Sequence, residues 1–492
     1  MVKRSGGALL YSIEIDRSSP RTIGLQLVAA IRDLIVSGGL RAGERLPASR
    51  ILAKELAVAR TTVTESFEQL VAEGLIEARV GAGTYVSAEV KAERPAPPRI
   101  ERAQPVDGAR LARLMEAATQ RFVDRLQHEP RAFTTAMPAF DAFPMAQWSR
   151  IAARHWRGSR HQILGYPEPH GYRPLRNAIA AHLRANRGIA CTSDQVFIVA
   201  GAQQGFQLVG ATLIDPGDRV WFENPGTIGA RNGLLVQGAE IVPVPVDEDG
   251  LSVARGLELC PDFKLAFVTP SHQQPLGSKM SIERRFALLQ AADKADGWII
   301  EDDWDGEFFF QDRPSPTLKG IDATGRVIYV GTFSKTLFPA LRLGFILVPP
   351  ALVQIFETGL AAFSPGVPTS LQAHVSDFIV EGHFAAHVRR MRKLYAERCQ
   401  SLLAAADRHL APWLEVVATN TGLHTVAWLK QGLRGADVAR AAAERNLTVA
   451  AIDRFYIGPL PRQGVMLGFG GIGPVQIEAG AKTLAEVLSR LC

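Results

Sequence analysis

The sequence predicts two folded parts of different class. About eighty residues form three helices and a β-hairpin, and a large α/β domain follows, with a mostly parallel central sheet and a smaller C-terminal α+β portion. Three observations carry this prediction. The chain has 492 residues, more than one compact domain usually holds. Residues 11–88 show helical periodicity followed by a short hairpin punctuated by glycine. From about residue 132, short apolar runs alternate with helical stretches, the pattern of buried parallel strands and their crossover helices.

Composition narrows the class. An apolar content of 47% and a charged content of 21% belong to a folded chain that is neither fibrous nor disordered. No run of about 18 apolar residues is present, and the N-terminus lacks the apolar core of a signal peptide, so the expected location is cytoplasmic. Cys191, Cys260, Cys399 and Cys492 show no paired spacing, so neither a zinc site nor a disulfide framework is expected. The net charge of +6 permits nucleic-acid binding without arguing for it.

In the first part, Ile23, Leu27, Ile31 and Leu34 recur at spacings of three and four and predict one apolar stripe on a first helix. After a turn at Gly38–Gly43, Ser49 is read as the N-cap of a short second helix with Ile51, Leu52 and Leu56 inward. A break at Ala57–Ala59 leads to a third helix. There Val63, Phe67, Leu70 and Val71 share a face, Thr61, Glu65 and Glu68 point outward, and Arg60, Thr61 and Thr62 fill the first turn. A helix, a turn, then a helix with a basic and polar N-terminus is the arrangement that enters a major groove. Leu75–Arg79 and Thr84–Val86 predict two strands around Val80–Gly83, whose glycines allow a tight tip. The candidate DNA-contacting residues are Arg45, Ser49, Arg50, Arg60, Thr61, Thr62, Arg79 and Gly81, with Arg79 set beside phosphate or the minor groove. The plainer alternative is a three-helix bundle with solvated arginines.

Residues 89–131 carry Pro95, Pro97, Pro98 and Pro105 among several arginines. They read as a semi-rigid linker that gains helix from about Ala109. Beyond it, Val196–Val199, Val220–Phe222, Leu265–Val268, Trp298–Ile300 and Val327–Val330 are the expected strands.

Three segments of the large part carry chemistry. Val330–Gly344 delivers Thr332, Ser334 and Lys335, then Arg342 seven residues after the lysine. Hydroxyls and a guanidinium suit a phosphate dianion. A desolvated lysine between them could form a Schiff base with an aldehyde, whereas the plain alternative is a surface lysine. Trp298–Trp304 reads as a buried strand ending in Glu301, Asp302 and Asp303, where open α/β sheets bind ligands. Asp302 could pair with a protonated pyridine nitrogen. In the plainer alternative two of the three acids are solvated, and a metal is disfavoured because no histidines cluster nearby in the sequence. Val199–Gly205 follows a strand and opens a helix, so its N–H groups could face an anion.

The first part, "RLPASRILAKELAVARTTVTESFEQLVAEGLIEARVGAGTYV" included, resembles the winged helix-turn-helix of the GntR superfamily. The large part resembles the fold-type I aminotransferases, and the whole layout resembles the MocR/GabR subfamily of GntR regulators. The likeness also rests on Phe143-Pro144, Trp148, Gly165–Arg176, Glu223–Gly226 and Thr269–Pro275. It implies a DNA-binding transcription regulator whose aminotransferase-like domain, residues 132–492 with a small subdomain from about 385, binds pyridoxal 5'-phosphate. Lys335 would form the aldimine and Asp302 would partner the ring nitrogen. Gly201, Ala202, Gln203, Thr332, Ser334 and Arg342 would hold the phosphate. Tyr166 would reach the neighbouring subunit's cofactor in a homodimer.

The sequence departs from this pattern at several places. Ala59 stands where the recognition helix usually has a Ser or Thr cap. Thr227 replaces an aromatic that packs on the cofactor ring, Trp304 replaces the tyrosine that bonds its phenolate oxygen, and Gln274 replaces an asparagine. No arginine aligns with the substrate-carboxylate clamp, since Gly464 occupies that point and Arg462 is displaced. Losing the fork that orients an amino acid, while the lysine and phosphate cup remain, favours a sensor of cofactor or amine over a turnover enzyme. Two alternatives stand beside that reading. One is an active aminotransferase with an accessory DNA-binding head, and the other is a DNA-binding dimer that has lost the cofactor.

Overall fold

A computed structural model of the chain describes residues 13–79, 82–89, 111–119, 129–157, 161–310, 315–364 and 366–492. The chain divides into two compact units, Met1–Arg110 and Leu111–Cys492. Most of the proposed linker, with Pro95, Pro97, Pro98 and Pro105, lies outside the described residues; within it a helix occupies Arg113–Thr119.

The first unit holds α1 (Ile23–Val36), α2 (Ser49–Glu55), α3 (Arg60–Ala72), β1 (Ile76–Arg79) and β2 (Gly83–Val86). Thr22 caps α1, its hydroxyl accepting from the Leu25 N–H. The buried ridge of α1 is Leu27, Val28, Ile31 and Ile35. Ile23 and Leu34 of the expected stripe are only partly buried, because the ridge continues at spacings of four and leaves Leu34 to one side. In α2, Leu52 and Ala53 face inward while Ile51 is exposed. Ser49 is the first helical residue and Ala48 the cap position, so Ser49 makes no cap bond. On α3, Val63, Ser66, Phe67 and Leu70 are buried and Val71 is exposed, one residue step of about 100° past Leu70. Strands β1 and β2 pair antiparallel from Ile76 opposite Val86 to Arg79 opposite Gly83. Arg45 adds an isolated bridge to Tyr85, which ties the segment before α2 to the hairpin.

The second unit is built on an eight-stranded sheet. Its strands are β3 (Val196–Val199), β4 (Arg219–Asn224), β5 (Glu240–Asp247), β6 (Gly250–Leu251), β7 (Leu265–Val268), β8 (Trp298–Asp302), β9 (Val327–Thr332) and β10 (Gly344–Leu347). Their order is β3-β10-β9-β8-β7-β4-β5-β6. The five strands from β9 to β5 run parallel, β10 runs antiparallel to both β3 and β9, and β6 folds back on β5. All five runs read from the sequence are strands of this sheet. β3, β7 and β10 are buried at every position, as strands covered on both faces must be.

A four-stranded antiparallel sheet follows, β11 (Leu414–Val416), β12 (His424–Leu429), β13 (Ala450–Ala451) and β14 (Gly464–Gly468), in the order β11-β12-β14-β13. It shares a core with the helices His383–His409 and Pro474–Leu491, to which Leu402, Leu467 and Leu484 contribute. Among the described residues, no helix is long and apolar enough to cross a membrane. The carboxyl ends of β4, β7, β8 and β9 open on one edge of the large sheet, where Asn224, Thr269, Asp302 and Thr332 stand.

Candidate cofactor site and DNA-reading face

Lys335 lies in a short helix, Phe333–Thr336, directly after β9. Its ammonium Nζ donates to the Ala136 carbonyl at 3.0 Å. Burial lowers its pKa to about 8; Asp305 and Asp302 oppose that shift and Arg342 adds to it. Thr332 precedes it, and its hydroxyl accepts from the Ser334 N–H at 3.1 Å, which fixes the turn that delivers the lysine.

Asp302 ends β8 opposite Val330 of β9. Its Oδ1 is buried without a partner among the described residues. Burial raises its pKa well above the usual carboxylate range, with Asp303, Asp305 and Glu223 adding to the shift. Glu301, Asp302 and Asp303 are all buried, so the alternative in which two of them are solvated does not hold. Each flanking acid has a structural task. Glu301 accepts from the Leu318 and Lys319 N–H groups at 2.8 Å, and Asp303 takes Arg187 and the Tyr329 hydroxyl.

The candidate phosphate-holding residues meet at the start of one helix. Gly201, at φ 87°, opens the helix Ala202–Leu213, and a Cβ placed on it would sit 3.4 Å from Arg342 Nη2. Arg342, in the left-handed region at φ 47°, donates to the Ala200 carbonyl at 3.3 Å. Gly344 leaves no room for a side chain, because a Cβ there would lie 2.9 Å from the Gly331 carbonyl oxygen and 3.2 Å from the Ala202 nitrogen. Gln203 directs its side-chain amide to the Gly229 carbonyl at 2.8 Å.

Trp304 differs from its expected role. Its single donor, the indole N–H, is given to the His272 carbonyl at 3.0 Å and is not available to a phenolate oxygen. Its ring packs against those of His272 and His424, with centroids 5.3 and 5.6 Å away and tilts of 20° and 25°, and the two histidine rings are themselves 5.2 Å apart. Sequence reasoning missed this stack and also Asp305, which accepts from His272 Nδ1 at 2.7 Å. The available signal was a histidine inside Thr269–Pro275 and a fourth acid just past Trp304; their meeting spans 33 residues.

Other expected positions are placed as follows. Thr227 stands at the N-terminus of the helix Ile228–Leu235 without a side-chain cap bond. Gln274 donates its backbone N–H to the Thr269 hydroxyl at 3.2 Å. Glu223 accepts from Thr269 and Gln273 and is pushed up to about 7 by burial. Arg462 pairs with Glu415 and covers the Trp428 ring on the small sheet, which removes it as a carboxylate clamp. Tyr166 is 97% exposed.

On the first unit, Arg45, Arg50, Arg60 and Thr61 are exposed and Ser49 is half-buried. Thr62 is half-buried and turns toward α1, since a Cβ on Gly24 would lie 3.7 Å from its methyl. Arg79 pairs with Glu77 and lies over the Tyr85 ring at 4.7 Å. Gly81 lies outside the described residues. Ala59 leaves α3 without a side-chain cap, as its identity requires. Arg17, not anticipated, donates to the Ala57 carbonyl in the turn between α2 and α3 at 2.8 Å.

A helix-turn-helix head joined to an aminotransferase-type lysine site defines a class: transcription regulators carrying a domain of the pyridoxal-phosphate enzymes. Residues 24–86 match the family "Bacterial regulatory proteins, gntR family", and residues 137–461 match "Aminotransferase class I and II". The chain is 41% identical to the probable rhizopine catabolism regulatory protein MocR of Rhizobium meliloti, over 97% of this chain and 96% of that one. It is 30% identical to the pyridoxine biosynthesis transcriptional regulator PdxR of Corynebacterium glutamicum, over 93% of this chain and 94% of that one. The large unit resembles the α-aminoadipate aminotransferase LysN of Thermus thermophilus, solved with N-(5'-phosphopyridoxyl)-L-leucine. That match has 27% identity and a TM-score of 0.68, covering 73% of this chain and 92% of that chain. The chain therefore belongs to the MocR-type regulators of the GntR family.

The residues present fit pyridoxal 5'-phosphate, the cofactor this domain implies. Among the described residues a buried carboxylate oxygen lacks a partner, a glycine-opened helix faces an arginine, and a buried lysine has lowered basicity.

Proposed function

We propose that the large unit is a sensor that holds pyridoxal 5'-phosphate and reports its state, or that of an amine exchanging onto it, to the DNA-reading heads of a homodimer. The observation that carries this reading is the partnerless Asp302 Oδ1 on the sheet edge that also delivers Lys335. When bound, the cofactor supplies an aldehyde that condenses with an amine and a ring that draws electrons from it. Lys335 is the amine within the chain. Asp302 would hold a proton on the ring nitrogen. The N–H groups of Ala202 and Gln203, Gly201, the hydroxyls of Thr332 and Ser334, and Arg342 would bind the phosphate. The exposure of Tyr166 supports a role in the partner subunit's site. Without a carboxylate fork, the site orients an amino acid poorly, which favours sensing over turnover. Two relatives carry names of regulators, one of rhizopine catabolism and one of pyridoxine biosynthesis.

In the head, Arg50, Arg60 and Thr61 would enter the major groove, with Arg45, Ser49 and the wing around Arg79 and Gly81 along the backbone. Thr62 would contribute through its backbone N–H.

The test is the absorption spectrum of the full-length protein with added pyridoxal 5'-phosphate, followed by borohydride reduction and peptide mapping. A visible band fixed on the Lys335 peptide, and lost in Lys335→Ala, is the expected result. A colourless protein with no adduct refutes the cofactor reading and leaves a dimerising regulator. Steady transamination of an amino acid with a keto acid refutes the sensor reading in favour of an enzyme.

A further inference from the structure

Residues 132–143, into which the linker runs, are fixed at both ends and touched by Lys335 in the middle. At the near end the Ala132 carbonyl accepts from the Thr448 N–H at 3.0 Å, and the Phe133 carbonyl accepts from the Gly468 N–H of β14 at 2.9 Å. At the far end three residues of the helix His383–His409 hold the segment. The Tyr395 hydroxyl accepts from the Ala139 N–H at 3.1 Å, Arg398 pairs with Asp141 at 2.7 Å, and Arg390 donates to the Ala142 carbonyl at 2.9 Å. Between these anchors, the 3.0 Å bond from Lys335 Nζ to the Ala136 carbonyl is the one hydrogen bond that reaches residues 135–138 among the described residues.

The backbone is strained at the same place. Phe133 and Ala136 both lie in the left-handed region, at φ 70° and 57°, which a residue with a Cβ disfavours. Phe133 is locked there by its burial in the core of the small sheet. Ala136 is only half-buried, and its carbonyl is held by the lysine.

We infer that residues 132–143 are a strap that reads the state of Lys335, closed while the lysine is a free amine and loosened around Ala136 while the lysine is joined to the cofactor. The inference rests on Lys335 being the cofactor lysine. Condensation of its neutral amine with the cofactor's aldehyde forms a carbon–nitrogen double bond and releases one water, which carries off both amine hydrogens. Ala136 then loses its donor. When an outside amine takes the cofactor over, it gives its two hydrogens to Nζ as the double bond changes hands, and the lysine can close on Ala136 again. The strap therefore separates cofactor on the lysine from cofactor on an amine. Those are the two states that a sensor of amines must tell apart, and the strap does so where the linker joins the large unit.

The experiment is amide hydrogen exchange over residues 133–143 of the full-length protein, read by peptide mass. It is run without cofactor, with pyridoxal 5'-phosphate, and with pyridoxamine 5'-phosphate, which carries an amine in place of the aldehyde and leaves the lysine free. Exchange should be about tenfold faster with the aldehyde than with the amine form, the effect of losing one hydrogen bond from a lysine. Both forms fill the same site, so their difference isolates the lysine and needs no variant. Lys335→Ala should exchange about tenfold faster than the parent with no cofactor present. Equal exchange with the two forms, in a protein that shows the visible band, would overturn the inference, as would equal exchange in the cofactor-free parent and Lys335→Ala. Faster exchange in Lys335→Ala, from a parent that never forms a band, upholds the strap's dependence on the lysine and refutes the cofactor reading instead.

Discussion

The lowered basicity of Lys335 can be tested through the pH profile of cofactor capture. Condensation with an aldehyde uses the unprotonated amine, and an ordinary lysine at 10.5 leaves only about 3 in 10,000 molecules neutral at pH 7. Burial brings Lys335 to about 8, so roughly one molecule in ten is neutral at that pH, a gain of about 300-fold. The sign follows from the group: the protonated form dominates below pH 8 and cannot attack. The second-order rate of capture by cofactor-free protein should therefore rise about tenfold per pH unit up to about pH 8 and level off above it. Stopped-flow growth of the visible band, from about pH 6 to about pH 10, measures this directly, with Lys335→Ala as the blank. A rate still climbing tenfold per unit beyond pH 9.5 would show that the lysine is solvated, and the burial argument would fail. A flat profile would show that another step, such as opening of the site, limits capture.

Three further outcomes are expected. Ala59→Ser should gain about 1 kcal/mol in the head, because Ala59 already has the extended φ −65°, ψ 142° of a cap residue; α3 amides such as Val63 should exchange about fivefold more slowly, and unchanged protection would refute a missing cap. Arg60→Ala should weaken operator binding by about 1–3 kcal/mol while leaving the cofactor band intact, and unchanged affinity in a mobility or anisotropy titration would remove α3 as the reading helix. Gly422→Ala should destabilise the large unit by about 2–4 kcal/mol, combining a left-handed backbone with a contact onto a histidine that cannot retreat from Trp304; an unshifted denaturant midpoint would contradict that packing.

Local signals were the legible ones. The third helix and its outward Thr61, Glu65 and Glu68 follow from periodicity over thirteen residues. Five strands of the large sheet follow from their unbroken apolar runs, because a stretch covered on both faces favours apolar side chains. Lys335, Arg342 and Gly201 could be read because each sits within a few residues of the strand end that presents it. Finer details went astray where one residue step decides a face. Ile51 and Val71 are exposed because about 100° of helix separates them from Leu52 and Leu70, and no composition rule fixes that angle.

By itself, then, the sequence determined the two-part architecture, the helix-turn-helix with its uncapped third helix, and the lysine, acid and glycine turns of the cofactor edge. Only the tertiary structure decided which acids are committed and which is left open. Glu301 is taken by a helix start, and Asp303 and Asp305 each commit one oxygen, to Arg187 and His272, while among the described residues Asp302 Oδ1 is buried without a partner. It also committed the Trp304 indole N–H to the His272 carbonyl and packed its ring against two histidines. The reason is physical: burial and hydrogen-bond assignment depend on groups that meet across tens or hundreds of residues, and their energies exist only once the chain has closed around them.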